Sequence, residues 1–159
     1  MNERDFLRHA LATLAYRAAK SVRGAPATFA DFKASATSRT PVEILAHMGD
    51  LMDWGPTICR GEPKFNVSTP LPWDQEVQRF FKAVTTWDQY LASDAPIQYS
   101  VDKIFQGPVA DALTHTGQIN FLRRLSGSPV KGESYPRSPI KIGQTGFEQP
   151  PATPGSEFD

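Results

Sequence analysis

Apolar residues recur at helical spacing in four separated stretches of the chain. Leu7, Leu11, Leu14 and Ala18 follow one another at four, three and four residues and predict a first helix over 3–22, with Asn2 as its cap and Glu3 and Asp5 favourable in the first turn. Ile44, His47, Leu51, Trp54 and Ile58 give a second stripe over 41–60. Its start is marked by Thr40-Pro41-Val42-Glu43: a capping hydroxyl, proline at the first helical position and a glutamate three residues after the cap. Trp73, Val77, Phe80, Val84, Trp87 and Leu91 form an uninterrupted aromatic seam over 73–93, which reads as core. Asp111, His115, Gln118, Leu122 and Leu125 trace the fourth stripe, over 108–126, with Arg123 and Arg124 suiting its C-terminal dipole and Gly127 ending it.

The stretches between break helices. Residues 23–40 are rich in Gly, Ala, Ser and Thr, and Phe29 and Phe32 there suggest at most a turn of helix against the core. Gly61, Pro63, Pro70 and Pro72 make 60–72 a loop. The chain restarts near Ser100 and meets Gly107-Pro108, where proline lacks an N–H and crowds the carbonyl four residues back, so a kink or a fresh helix start is expected just before Asp111. The pattern predicts an all-α fold: a four-helix bundle over 1–127, followed over 128–159 by an irregular Pro/Gly-rich tail that either wraps the bundle or is partly disordered.

Two of the four stripes carry polar residues where apolar ones are expected. Asp111 and His115 stand one helical turn apart on one face, the spacing that offers two ligands to one ion, and His47 holds an equivalent inward position on the second helix. Inward carboxylates and imidazoles are costly unless something satisfies them. A shared buried metal would do so, and so would a hydrogen-bonded network without one. Gln118, one turn beyond His115, is placed to orient a ligand or to position substrate. His9 lies beside the first stripe with no polar residue on its face and reads as a boundary residue. Glu43 is accounted for as a cap, Asp50 reads as solvent-facing, and no general base or other catalytic residue is assigned.

Composition narrows the field. With 17 basic and 17 acidic residues the net charge is zero, so no electrostatic argument favours nucleic acid or an anionic membrane, and the modest cluster Arg123, Arg124 and Lys131 reads as a solvated face. Cys59 is the only cysteine; it excludes an intrachain disulfide and a four-thiolate zinc site, and it reads as a small buried hydrophobe. No apolar run approaches a membrane span and the N-terminus does not read as a secretory signal, so a cytoplasmic protein is the expectation. No internal repeat, GxGxxG, P-loop, GxSxG or CxxC motif is present.

Ile44-Leu45-Ala46-His47 in the second helix and Gly107 to Gln118 in the fourth, with the run His115-Thr116-Gly117-Gln118 ahead of an apolar stretch and Leu-Ser-Gly, resemble the DinB-like (damage-inducible) superfamily. That superfamily consists of metal-binding four-helix bundles related to the bacillithiol and mycothiol S-transferases. The resemblance covers about residues 1–127 and implies a divalent metal held by His47, Asp111 and His115. Position 111 is Asp where many members have His. The resemblance suggests zinc or nickel, while two histidines and a carboxylate alone would equally admit iron or manganese. It further implies a small-molecule substrate, a low-molecular-weight thiol as co-substrate, and a homodimer.

Three functional readings follow. The leading one is a metal-dependent enzyme, a thiol S-transferase or hydrolase, in which three protein ligands leave a position open for a nucleophile. The second is a non-catalytic metal-binding or ligand-sensing bundle with a closed coordination sphere, and the third a metal-free bundle held by a polar network.

Overall fold

The computed structural model describes every residue from Met1 to Asp159. Its helices are α1 (Glu3–Val22), α2 (Pro41–Cys59), α3 (Trp73–Ala92), α4 (Val101–Ile104) and α5 (Ala110–Leu125). α4 and α5 are joined through Phe105–Val109 into one continuous fourth helix, and the whole is the expected all-α four-helix bundle. α1 and α2 each pack against both α3 and α5, so the helices stand around the core in the order α1, α3, α2, α5. No helix is long and apolar enough to cross a membrane.

The starts follow the sequence signals. The Asn2 side chain accepts from the Asp5 N–H at 2.8 Å. At α2 both halves of the capping box form: the Glu43 N–H donates to Thr40 Oγ1 at 3.3 Å and the Thr40 N–H donates to the Glu43 carboxylate at 2.7 Å. The fourth helix departs from expectation at its start, because it begins at Val101 and passes Pro108 without stopping. Over Phe105–Val109 the backbone widens into a π turn, with the Ala110 N–H reaching the Phe105 carbonyl, and this wider turn accommodates a proline that an α-helical turn would exclude. The end is as expected. Gly127 adopts φ 81°, and the Ser128 N–H donates back to the Arg123 carbonyl at 2.9 Å, which closes the helix with a left-handed residue that only glycine takes without strain.

The core is built from the centres of the four stripes. Leu7, Leu11 and Leu14 from α1 meet Met48 and Met52 from α2 and Phe80, Val84 and Trp87 from α3. Phe29, on a short turn Ala27–Phe29 in the long first connection, plugs one end edge-on to Trp73 with ring centroids 5.6 Å apart. α2 and α3 approach closely at Gly55, where a Cβ atom would stand 2.5 Å from three atoms of the Trp87 indole. Gly55→Ala should therefore destabilise the bundle by about 1–3 kcal/mol despite alanine's better helix propensity, read as a lower denaturation midpoint. An unchanged midpoint would show that the α2–α3 seam gives way freely.

Arg123 was expected on a solvated face and is instead buried. It lies one position from the Leu122 edge of the core, and its guanidinium donates to the Ser21 and Arg23 carbonyls at 3.0 Å each and to the Ser128 carbonyl at 2.8 Å. Burial pushes its pKa down. It closes the free carbonyls at the C-terminus of α1, where a cation also suits the helix dipole.

Of the two alternatives for the tail, wrapping is what the structure shows. Two-residue strands β1 (Gly132–Glu133) and β2 (Glu157–Phe158) pair antiparallel, and Phe147 packs on Phe81 with ring centroids 5.5 Å apart. The anchor is Glu133, buried on α1, which accepts from the Tyr16 hydroxyl at 2.8 Å and from Lys20 Nζ at 2.7 Å. Burial opposes ionisation of Glu133, but hydrogen bonds from Lys20, Ser138 and Tyr16 outweigh it and hold its pKa below the usual 4.5. Burial, with the bond to Glu133, pushes Tyr16 from 10.0 up to about 12. A lowered carboxyl pKa contributes docking that is lost as pH falls below 4.5, and a raised phenol pKa contributes docking that is lost as pH rises from 10 toward 12. The tail should thus stay docked between those limits and loosen outside them. Amide exchange at Ser134 and Ser156 would report it, and Tyr16→Phe should remove a late step from the phenolate absorbance titration.

Candidate metal centre

His47 leaves α2 and Asp111 and His115 leave α5 along the seam between those two helices, and their ligand atoms all lie within 4.8 Å of one another. His47 Nε2 is 3.3 Å from Asp111 Oδ2, and His115 Nε2 is 3.4 Å from Asp111 Oδ1. The carboxylate thus stands between the two imidazoles, whose rings meet edge to face with centroids 4.8 Å apart. Divalent metals bond nitrogen and oxygen ligands at about 2.0–2.2 Å, which sets donor atoms about 3.3–3.6 Å apart on a tetrahedron. Each of the two contacts is of that length, one to either oxygen of the Asp111 carboxylate.

The triad was expected in the bundle interior and lies at its edge. Side-chain exposure is 25% for His47, 45% for Asp111 and 13% for His115. The reason is rotational. The fully buried line of α5 runs through Ala112, Thr116 and Ile119, and that of α2 through Leu45, Met48 and Met52. The stripes that carry Asp111 and His47 are each turned away from these lines by about one residue's rotation, about 100°. Both turned stripes face the α2–α5 seam, so the polar residues meet there without full burial.

Gln118 Oε1 contacts His115 Nδ1 at 2.8 Å. With that amide oxygen as the acceptor, Nδ1 carries the proton, and in a neutral ring Nε2 is then the nitrogen left to face Asp111 or a metal. Two acceptors 3.4 Å apart repel unless a cation lies between them. A metal ion fills that role. The donor set therefore fits a divalent metal, with Gln118 fixing the tautomer that would bind it.

Two further residues shape the site and escaped the sequence reading. Phe65, from the 60–72 loop, packs edge-on to His47 at 6.0 Å and to Trp54 at 5.4 Å between ring centroids. Trp54 lies on the same stripe of α2 as His47, two turns on, and that register was a usable signal; nothing in the loop's composition singled out Phe65. On the other side the triad opens into a cleft of about 900 Å³, lined by His47, His115 and Gln118 together with Arg39, Ile44 and Phe121 among others.

The remaining candidates lie elsewhere. His9 is half-buried on α1 and outside the cluster, and Glu43 is engaged in the capping box. Asp50 was expected to face solvent; it is buried, and accepts from Arg79 at 3.1 Å and from the Ser68 N–H at 3.0 Å. Cys59 is fully buried and burial raises its pKa, which removes the thiolate a nucleophile needs. Cys59→Ser should leave metal content unchanged, as elemental analysis would show. No protein-family model, curated protein or solved structure matches the chain.

Proposed function

We propose that the protein is a DinB-like metal-dependent enzyme of the thiol S-transferase or hydrolase type, with His47, Asp111 and His115 as its metal ligands. The observation that carries this reading is the convergence of His47, Asp111 and His115, whose ligand atoms all lie within 4.8 Å of one another beside an open cleft. The resemblance of Ile44 to His47 and of Gly107 to Gln118 to that superfamily supports it. A divalent ion there, zinc or nickel before iron or manganese, would lower the pKa of a bound water or thiol and supply a nucleophile at neutral pH.

The chain's own residues do the rest. Gln118 holds the His115 ring in one tautomer and orientation through the 2.8 Å contact at Nδ1. Trp54 and Phe65 place aromatic surface beside His47 and restrict its ring. The cleft leaves the opposite side free for a small-molecule substrate, which an enzyme needs and a purely structural metal does not. A low-molecular-weight thiol as co-substrate, a homodimer and a cytoplasmic setting belong to the same reading.

Elemental analysis of the purified protein, followed by a screen of thiol transfer and of ester and amide hydrolysis, tests it. Turnover should require the metal, vanish on chelation and return on reloading. Bound metal without turnover in any metal form would favour the non-catalytic bundle. A protein that takes up no metal would favour the metal-free bundle held by a polar network.

A further inference from the structure

The cleft beside the triad has an apolar wall and one charged side chain on its rim. Ile44, Phe121 and Leu122 supply the wall, and Arg39, at the end of the first connection, is that charge. The other polar groups that line it, Ser38, Thr114 and Gln118, are uncharged, and the Asp111 carboxylate, in contact with both histidines, does not line it. Arg39 is exposed and has no carboxylate at ion-pair distance. Glu43, one turn into α2, gives its carboxylate to the Thr40 N–H at 2.7 Å and feels Arg39 only through space. This sets Arg39 apart from Arg8, Arg79 and Arg123, each of which is committed to carboxylates or carbonyls within the fold.

We propose that this cleft binds a small organic acid with an apolar body, its carboxylate paired with Arg39 and its opposite end directed at His47 and His115. The volume of about 900 Å³ lies in the range of small-molecule sites. A guanidinium fork matches a carboxylate through two parallel hydrogen bonds, and with no protein acid claiming it, Arg39 makes that match without first breaking another. The protein as a whole is neutral, so an anion is not held by the overall field and the discrimination rests on this contact. The inference takes the triad as the reacting end of the site and in that respect rests on the proposed function.

The test uses the full chain after treatment with EDTA, so that no metal competes for the carboxylate. Hexanoate and hexanamide, equal in length, are titrated against it by amide chemical-shift mapping. Hexanoate should bind about tenfold more tightly, with shifts at Ser38, Arg39 and Gly117, and added salt should reduce the difference. Arg39→Met should abolish the preference while leaving hexanamide binding unchanged, and Arg39→Lys should keep part of it. Equal affinity for the two probes, absence of binding by either, or a preference that survives Arg39→Met would each overturn the proposal. Zinc stoichiometry measured in parallel on untreated protein separates the cases: a chain that binds hexanoate but no zinc retains the acid site and loses the metal reading, and the converse loses only the acid site.

Discussion

Replacing His115 with alanine should abolish stoichiometric binding of zinc or nickel. The remaining pair, His47 and Asp111, leaves two donors at 3.3 Å, and two protein ligands do not hold a first-row metal against water and buffer. Asp111→His should keep the metal, because donor count and helical face are unchanged while the ligand is one that neutral imidazole supplies equally well. Gln118→Ala should weaken affinity by about 10–100-fold without removing the site, since it frees the His115 ring to rotate and to change tautomer. His9→Ala serves as the control and should bind metal as the parent does, for His9 lies outside the cluster. Elemental analysis after dialysis reads the first two variants and competition with a chelator of known affinity reads the third. Thermal denaturation gives an independent check: metal at a hundred times its dissociation constant stabilises a single-site protein by about 2.7 kcal/mol, a gain that His115→Ala should not show. A full complement of metal in that variant would remove the triad as the site.

The helices were legible because their apolar periods are unbroken and their starts carry specific chemistry, as at Thr40 and Glu43. What periodicity could not give was rotation. On α2 the stripe Ile44, His47, Leu51, Trp54 is real, yet Leu45, Met48 and Met52 form a second one beside it, and it is this second stripe that faces the centre of the core. A helix packed on two neighbours buries a face wider than one stripe, so its flank and its centre look alike in sequence. The polar residues of the triad identified the flank, and this is why they could be singled out while their depth was overestimated. The fourth helix ran past Pro108 because a π turn, which no local rule signals, absorbed the ring. Asp50 and Arg123 were misplaced for a related reason: each is buried only because a distant segment, Arg79 or the end of α1, supplies its partner. Phe65 and Arg39 reach the site from loops, whose path depends on tertiary contacts that composition does not encode.

The largest loss of stability should follow Arg79→Met. Arg79 Nε bonds the Glu76 carboxylate at 3.0 Å, one terminal nitrogen bonds Asp53 at 3.1 Å, and the other reaches Asp50 at 3.1 Å, Ser68 Oγ at 3.0 Å and the Ala46 carbonyl at 2.6 Å. Glu76 and Asp50 are buried, and their free oxygens accept the N–H groups of Leu71 and Ser68 at 2.9 and 3.0 Å. Burial works against the Arg79 charge, yet the bonds and charges of Glu76 and Asp50 outweigh it and raise its pKa. Methionine keeps most of the side chain's bulk and deletes the charge, leaving two buried carboxylates unpaired, at a cost of about 3–5 kcal/mol at neutral pH. The pH dependence carries the signature. Unpaired buried carboxylates have raised pKa values, and a group with a raised folded pKa contributes more stability as pH falls, so the variant's deficit should shrink on acidification toward pH 5. Simple loss of packing would leave the deficit unchanged with pH. The same network ties the 60–72 loop to α2 and α3 and so holds Phe65 against His47; Ser68 and Leu71 should therefore lose amide protection in the variant before the helices unfold. Protected loop amides together with a pH-independent deficit would show that Arg79 acts by packing alone, and that Phe65 is held against His47 by other contacts.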